Sequence, residues 1–417
     1  MNALRKLLCI PLMLLTLQAL AQQNEAYLRR HAVPVDADSL MDNKMLDSDF
    51  YAHQLFLVGE IHGIQKGQDI DYTFLTVLNR RRKVKTYVAE IDFAKAYFLN
   101  EYLKTGDERL IDAVFKDWVE QDAQWANIDF QQKIRKIRLY NQSIKKGSGI
   151  HFEGIDQIQN PSLVADYLQV MLKAKPVYLK EADALIKALQ LKNDSLIVQQ
   201  AGLLLQKWEH SLKRGNTDDD NLRFALGNCI AISSPREIQL FNNFKKLFAM
   251  RNWKDEPLYG FFGFAHVLGA KANNGRSTSF AYMLAHDEAL RLNGKIAAVG
   301  LLYVDSKMMT PNRSLPAAWQ QKGTRFTAIG QYNHDGPLVK LQDIESFKGA
   351  SVPGSVTLFD LAASDSPYLN TALAITYAAM MPASQRLLLN AAGAKITDYL
   401  KYVLLVRNSE GTQPIKP

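Results

Sequence analysis

Cysteine is almost missing from this chain: 417 residues contain two, Cys9 and Cys229. Cys9 lies inside an N-terminal apolar run, so cleavage of that run leaves Cys229 alone and excludes an intrachain disulfide. Stability must then come from a core, which a chain of this length can build. Cys229, next to Ile230, reads as a small buried hydrophobe. Beyond the N-terminus no apolar stretch is long enough to cross a bilayer as a helix, so no stable membrane insertion is expected. No zinc-finger, P-loop or aromatic-plus-basic RNA motif is present, so no nucleic-acid partner is expected. Internal repeats and low-complexity segments are also missing. A hydrophobic share of 47% with 22% charge excludes wholesale disorder.

What is present begins with a targeting segment. Arg5 and Lys6 precede the mostly apolar run Leu7 to Leu17, and Ala19-Leu20-Ala21 forms an A-x-A site. This predicts a signal peptide over 1–21, cleaved after Ala21, and a periplasmic or secreted protein. Cys9 is inside the apolar run rather than at its end, which does not support a lipoprotein site. Residues 22–417 are expected to form a single α/β domain. The formal charge is +8, and basic residues cluster from Arg80 to Lys85. That cluster falls where a helix ends, a position the helix dipole favours for cations.

Hydrophobic periodicity alternates strands with helices. Leu55 to Val58 reads as a buried strand running into Gly59-Glu-Ile-His-Gly63. A helix is predicted over Asp69 to Arg82, a strand over Lys85 to Ile91, a helix over Phe93 to Lys104, and further helices over 109–146. Ile150 to Ile155 is a third strand. Helical patterns then fill about 161–250, too much for one crossover, and predict a helical insertion over the strand ends that forms much of the substrate cleft. Tyr259 to His266 resumes the sheet. Ser279 to Leu292 is predicted helical, Lys295 to Tyr303, Arg325 to Ile329, Ser355 to Phe359 and Tyr402 to Val406 as strands, and Ala383 to Leu389 as a helix. The class is α/β, with a mostly parallel central sheet flanked by helices.

Four strand ends carry ionisable side chains: Glu60 with His62, Glu90, Asp156 and His266. In open α/β sheets, ligands bind at the carboxyl ends of strands. Two histidines with three carboxylates can serve in two ways. They can hold a divalent metal and its water, with Glu60, His62 and His266 as candidate ligands. Alternatively, a histidine oriented by a carboxylate activates water while the other polarises a carbonyl. Each also has a structural reading. Asp156 can cap the helix starting near Asn160, and His266 can pack against Phe262 and Phe264.

Gly59-Glu-Ile-His-Gly63 resembles the signature of the superfamily that joins erythromycin esterases, ChaN-like haem-binding proteins and Tiki/TraB proteins. Ala89-Glu-Ile-Asp92 followed by Asn100-Glu-Tyr-Leu-Lys-Thr-Gly106, then Arg138-Leu-Tyr-Asn141, Phe152-Glu-Gly-Ile-Asp156 and Gly263-Phe-Ala-His-Val267, looks like the esterase motifs in order. The resemblance implies a hydrolase acting on a small-molecule ester, lactone or amide. His62 would be the base, Glu60 and Glu90 would orient it or the water, His266 would assist, and Asp156 would support the site. Arg138, in the R-x-Y-N match, is a candidate substrate contact; apart from the resemblance, Arg276 in the Asn-Asn-Gly-Arg-Ser loop could clamp an anion on the substrate. No cofactor is required in this reading. Two departures keep relatives in view. One residue rather than two separates Glu60 from His62, and Phe264 replaces the first of a histidine pair. A haem-binding ChaN-like protein and a Tiki-like metal-dependent peptidase are therefore the alternatives, with oligomeric state open.

Overall fold

A computed structural model of the chain describes residues 22–416 except 44–45, 47–48 and 373. The expected signal segment, 1–21, lies outside the described residues. The strands in chain order are β1 (Ala32–Pro34), β2 (Leu55–Glu60), β3 (Thr86–Ala89), β4 (His151–Gly154), β5 (Leu258–Gly263), β6 (Ile296–Val304), β7 (Met308–Pro311), β8 (Phe326–Ile329), β9 (Val339–Leu341), β10 (Val356–Asp360), β11 (Ile375–Tyr377) and β12 (Tyr402–Arg407). One sheet runs β1-β10-β12-β6-β2-β5-β3-β4. From β12 to β4 every neighbouring pair is parallel, while β10 and β1 add antiparallel at one edge. The expected α/β class with a mostly parallel sheet is the observed one.

Helices on both faces explain why the central strands are buried along their whole length. Every residue of β2 and β6 is buried. Helix α1 (Gln65–Arg82) ends at Lys83, whose φ of 61° is left-handed. Arg80, Arg81 and Arg82 occupy its last turn, so the basic cluster is a helix end. Helix α2 (Phe93–Thr105) starts on the Asp92 carboxylate, which accepts the Lys95 N–H, and stops at Gly106. Helices α3 (Glu108–Glu120) and α4 (Ile128–Ser143) follow. Side-chain amides serve edge strand β4. Asn100 exchanges two 2.8 Å hydrogen bonds with the backbone of Phe152, and Asn141 does the same with Ile150. They satisfy backbone groups that no neighbouring strand reaches.

Between β4 and β5 lie α5 (Pro161–Leu172), α6 (Pro176–Glu181), α7 (Asp183–Gln190), α8 (Asp194–Trp208), α9 (Thr217–Ile230) and α10 (Arg236–Met250). Asn160, not Asp156, caps α5. Cys229 is fully buried in α9, and burial pushes its thiol up to about 12.

Some expectations need correction. The strand expected to reach His266 stops at Gly263, and 264–267 turn as a 3-10 helix. Glu90 accepts the Gly263 N–H there at 2.6 Å, where the ladder ends. Helix α11 (Phe280–His286) is shorter than expected, because Asp287 accepts the N–H groups of Ala289 and Leu290 in a turn. Residues 326–329 pair with β7 in a separate hairpin rather than joining the main sheet. Only Ala383–Gln385, after Pro382, is helical in the stretch expected to run to Leu389. The N-terminal arm is a helix over 22–30 leading into β1.

Candidate active site

Strand order builds the site. Because β5 inserts between β2 and β3, the ends carrying Glu60, Gly263 and Glu90 are adjacent, with Glu60 in register with Gly263. Glu60 is buried and its Oε1 meets His62 Nδ1 at 2.8 Å. The turn after His62 needs Gly63 at φ +90°, and the Gly63 carbonyl accepts the N–H groups of Met309 and Thr412 at 2.9 Å each. Trp125 lies against the His62 ring, with centroids 4.3 Å apart. Burial pushes the His62 pKa down, but the charge and hydrogen bond of Glu60, with the charge of Glu90, outweigh this and hold it above the usual histidine value.

Glu90 is the hub. Its Oε1 meets Arg236 Nη2 at 2.6 Å and His266 Nε2 at 3.3 Å, and its Oε2 accepts the Gly263 N–H. Burial pushes its carboxyl up, but His266, His62 and Arg236 outweigh that and bring it down to about 2. Arg236 also grips Asp156, with Nε at 2.9 Å from Oδ1 and Nη2 at 2.6 Å from Oδ2. His266 Nδ1 pairs with Glu237. Burial would lower His266, yet Glu237 and Glu90 push it up to about 10, so it is an imidazolium at neutral pH.

The two imidazoles share one gap. A Cβ placed on Gly263 would lie 3.5 Å from His62 Nε2 and 3.7 Å from His266 Nε2. That gap can hold a small oxygen species within reach of both rings. Gly263 has an ordinary φ of −56°, so Gly263→Ala is compatible with the backbone while filling the gap. This variant is expected to keep a near wild-type melting temperature and lose roughly 10²-fold in kcat/KM. Equal activity in both proteins would show that the gap is not the reaction centre.

The gap opens into a cavity of about 750 Å³. Glu60, His62, Gly263 and His266 form its floor, and Trp125, Tyr332, Val339, Ile375, Tyr377 and Leu387 are among its walls. Among the described residues, none from 161–250 lines it, so the helical insertion does not form the cleft. That segment instead sends Arg236 and Glu237, from the first turn of α10, to the floor's polar groups.

The structure thus brings together Glu60, His62, Glu90, Asp156 and His266. Arg138 and Arg276 are elsewhere. The Arg138 guanidinium packs against Gly106 and lies 6.0 Å from the Tyr102 ring centroid. Arg276 is exposed in the tight 272–277 turn. Neither borders the cavity. Sequence reasoning missed Arg236, Glu237 and the cavity-lining His334. Arg236 had a readable signal: a cation at a helix start opposes the dipole and calls for carboxylate partners. Glu60, His62 and His266, the candidate metal ligands, have their polar atoms largely engaged by one another or by other protein groups. Glu60 Oε1 is engaged by His62 Nδ1, and both His266 nitrogens face carboxylates. Among the described residues no group of three or more His, Cys, Asp or Glu side chains is arranged to hold a metal ion.

No family model matches the chain, and no curated protein matches it in sequence. Solved structures do match in fold. A Bacillus cereus protein aligns with a TM-score of 0.71 and 15% identity, over 95% of this chain and 99% of its own. A succinoglycan biosynthesis protein aligns at 0.64 and 11%, over 95% and 99%. A mutant of the erythromycin esterase EreC, in its open conformation, aligns at 0.59 and 12%, over 93% and 100%. At these identities the likeness is one of fold, and it is nearly end to end: the chain has an erythromycin esterase-like α/β fold.

Proposed function

We propose that the chain is a metal-independent hydrolase of the erythromycin esterase-like superfamily, cleaving an ester, lactone or amide. The observation that carries this reading is the Glu60–His62 pair whose Nε2 faces, with His266, one gap at the floor of a large cavity. Glu60 holds the proton of His62 on Nδ1, which leaves Nε2 as the base. Water in the gap loses a proton to Nε2 as its oxygen attacks the carbonyl. The oxyanion that forms is stabilised by the positive charge of His266. Collapse of the tetrahedral intermediate breaks the bond to the leaving group, which takes the proton back from His62. The cavity has the size of a site for a drug-sized ligand. The same reading includes export, which N-terminal sequencing of the mature protein at Gln22 would check.

The test is a panel of p-nitrophenyl esters, lactones and amides, run before and after chelation. Hydrolysis is expected to survive chelation. It should also rise with pH through a single ionisation above 6.5, because neutral His62 is the working form and its pKa is raised. Loss on chelation with recovery on added zinc would shift the reading to a Tiki-like metal-dependent peptidase. A Soret band with hemin and no hydrolysis would shift it to a haem carrier.

A further inference from the structure

The cavity has a second histidine wall, away from the two imidazoles at its floor. His334 is 4% exposed and borders the cavity beside Tyr332 and Val339. Its Nδ1 accepts the backbone N–H of Tyr303 at 3.0 Å, and the backbone N–H of His334 donates to the Tyr303 carbonyl at 2.8 Å. An acceptor Nδ1 fixes the neutral tautomer with the proton on Nε2. Nδ1 is tied to strand β6, so the Nε2 edge is the part of the ring left to face the cavity. No protein group among the described residues accepts that N–H. Burial supports the neutral form by pushing the pKa down to about 4. Tyr303 holds both ends of the arrangement, since its hydroxyl also meets the backbone N–H of Ile61 at 3.0 Å, one residue before His62.

We propose that His334 is a specificity residue whose fixed Nε2–H donates to an uncharged oxygen acceptor (ether, hydroxyl or carbonyl) on the substrate, away from the scissile carbonyl. A donor left facing the cavity stays unpaired against a hydrocarbon, which penalises substrates lacking the acceptor. Being neutral, it offers no countercharge of its own to a carboxylate or phosphate. The assignment relies on the hydrolase reading for its substrate but not for the tautomer or the direction of the donor.

The test compares p-nitrophenyl octanoate with isosteric esters in which one chain methylene is replaced by an ether oxygen at successive positions. In the wild-type protein one position is expected to raise kcat/KM roughly tenfold over its neighbours. His334→Asn keeps an acceptor for the Tyr303 N–H but lacks the Nε2 donor, and should lose that preference. His334→Gln places an N–H near the Nε2 position and should retain much of it. An identical ether profile in the wild type and His334→Asn would overturn the proposal. Nitrogen-15 shifts of His334 in the full chain give a readout independent of turnover. A proton on Nε2 alone is expected from pH 5 to 8, and an imidazolium or an Nδ1–H tautomer would refute it. If no ester in the series is cleaved, the hydrolase reading fails. Affinities of the uncleaved esters, from tryptophan fluorescence, then decide the donor role by the same comparison of variants.

Discussion

His62→Asn is expected to lower ester hydrolysis by roughly 10²–10⁴-fold while changing the melting temperature little. The asparagine amide can still donate to Glu60 Oε1, as His62 Nδ1 does at 2.8 Å, so the buried carboxylate keeps a partner. What is lost is Nε2, the atom that faces the gap at Gly263. The His62 ring has little packing role beyond its contact with Trp125. His62→Ala should be as inactive and less stable, because it strands Glu60 in the interior. Glu60→Gln separates orientation from charge. It can retain a hydrogen bond but removes the charge that raises His62, so the acidic limb of the pH–rate profile should move to lower pH. The checks are kcat/KM against a p-nitrophenyl ester and thermal unfolding. Wild-type turnover in His62→Asn would remove His62 as the base.

Arg236→Met is expected to destabilise the protein by roughly 3–5 kcal/mol, as breaking one side of a buried ion cluster does. Glu90 and Asp156 are both buried, and both lean on this one guanidinium. Its fork spans the two carboxylates, so Arg236→Lys should restore only part of the loss. The pH dependence follows from the direction of the Glu90 shift. Glu90 is depressed to about 2, so its contribution is complete above its unfolded value near 4.5 and is lost as pH falls toward 2. In Arg236→Met the depression shrinks, and acid unfolding should begin at higher pH. Urea titrations at pH 7 and pH 4 on both proteins measure this. A midpoint unchanged at pH 7 would mean that His266 alone neutralises Glu90.

Much of the floor was legible in the sequence for a simple physical reason. A parallel sheet puts polar side chains where apolar runs stop, and Glu60, His62, Glu90, Asp156 and His266 all follow such runs. Strand order was not legible. Nothing local says that β5, encoded about a hundred residues after β4, inserts between β2 and β3. The partners of the acids were hidden likewise, since Arg236 and Glu237 come from a helix start whose direction depends on packing. Arg138 misled for the opposite reason: a local motif placed it well on its helix but could not show that it packs against Gly106. The walls were least readable. The wall residues among 308–339 and 375–387 lie in short strands and turns with weak periodicity, and their positions come from tertiary hydrogen bonds such as that from the Met309 N–H to the Gly63 carbonyl.

That separation of floor and wall means that substitutions can alter one without the other. The proton-handling groups sit on the ends of sheet strands, where a shift of one residue would ruin the core. Much of the surface that meets the rest of a ligand belongs to one contiguous, loop-rich stretch near the C-terminus. Substitutions in that stretch would reshape what fits the cavity while leaving Glu60, His62 and His266 in place.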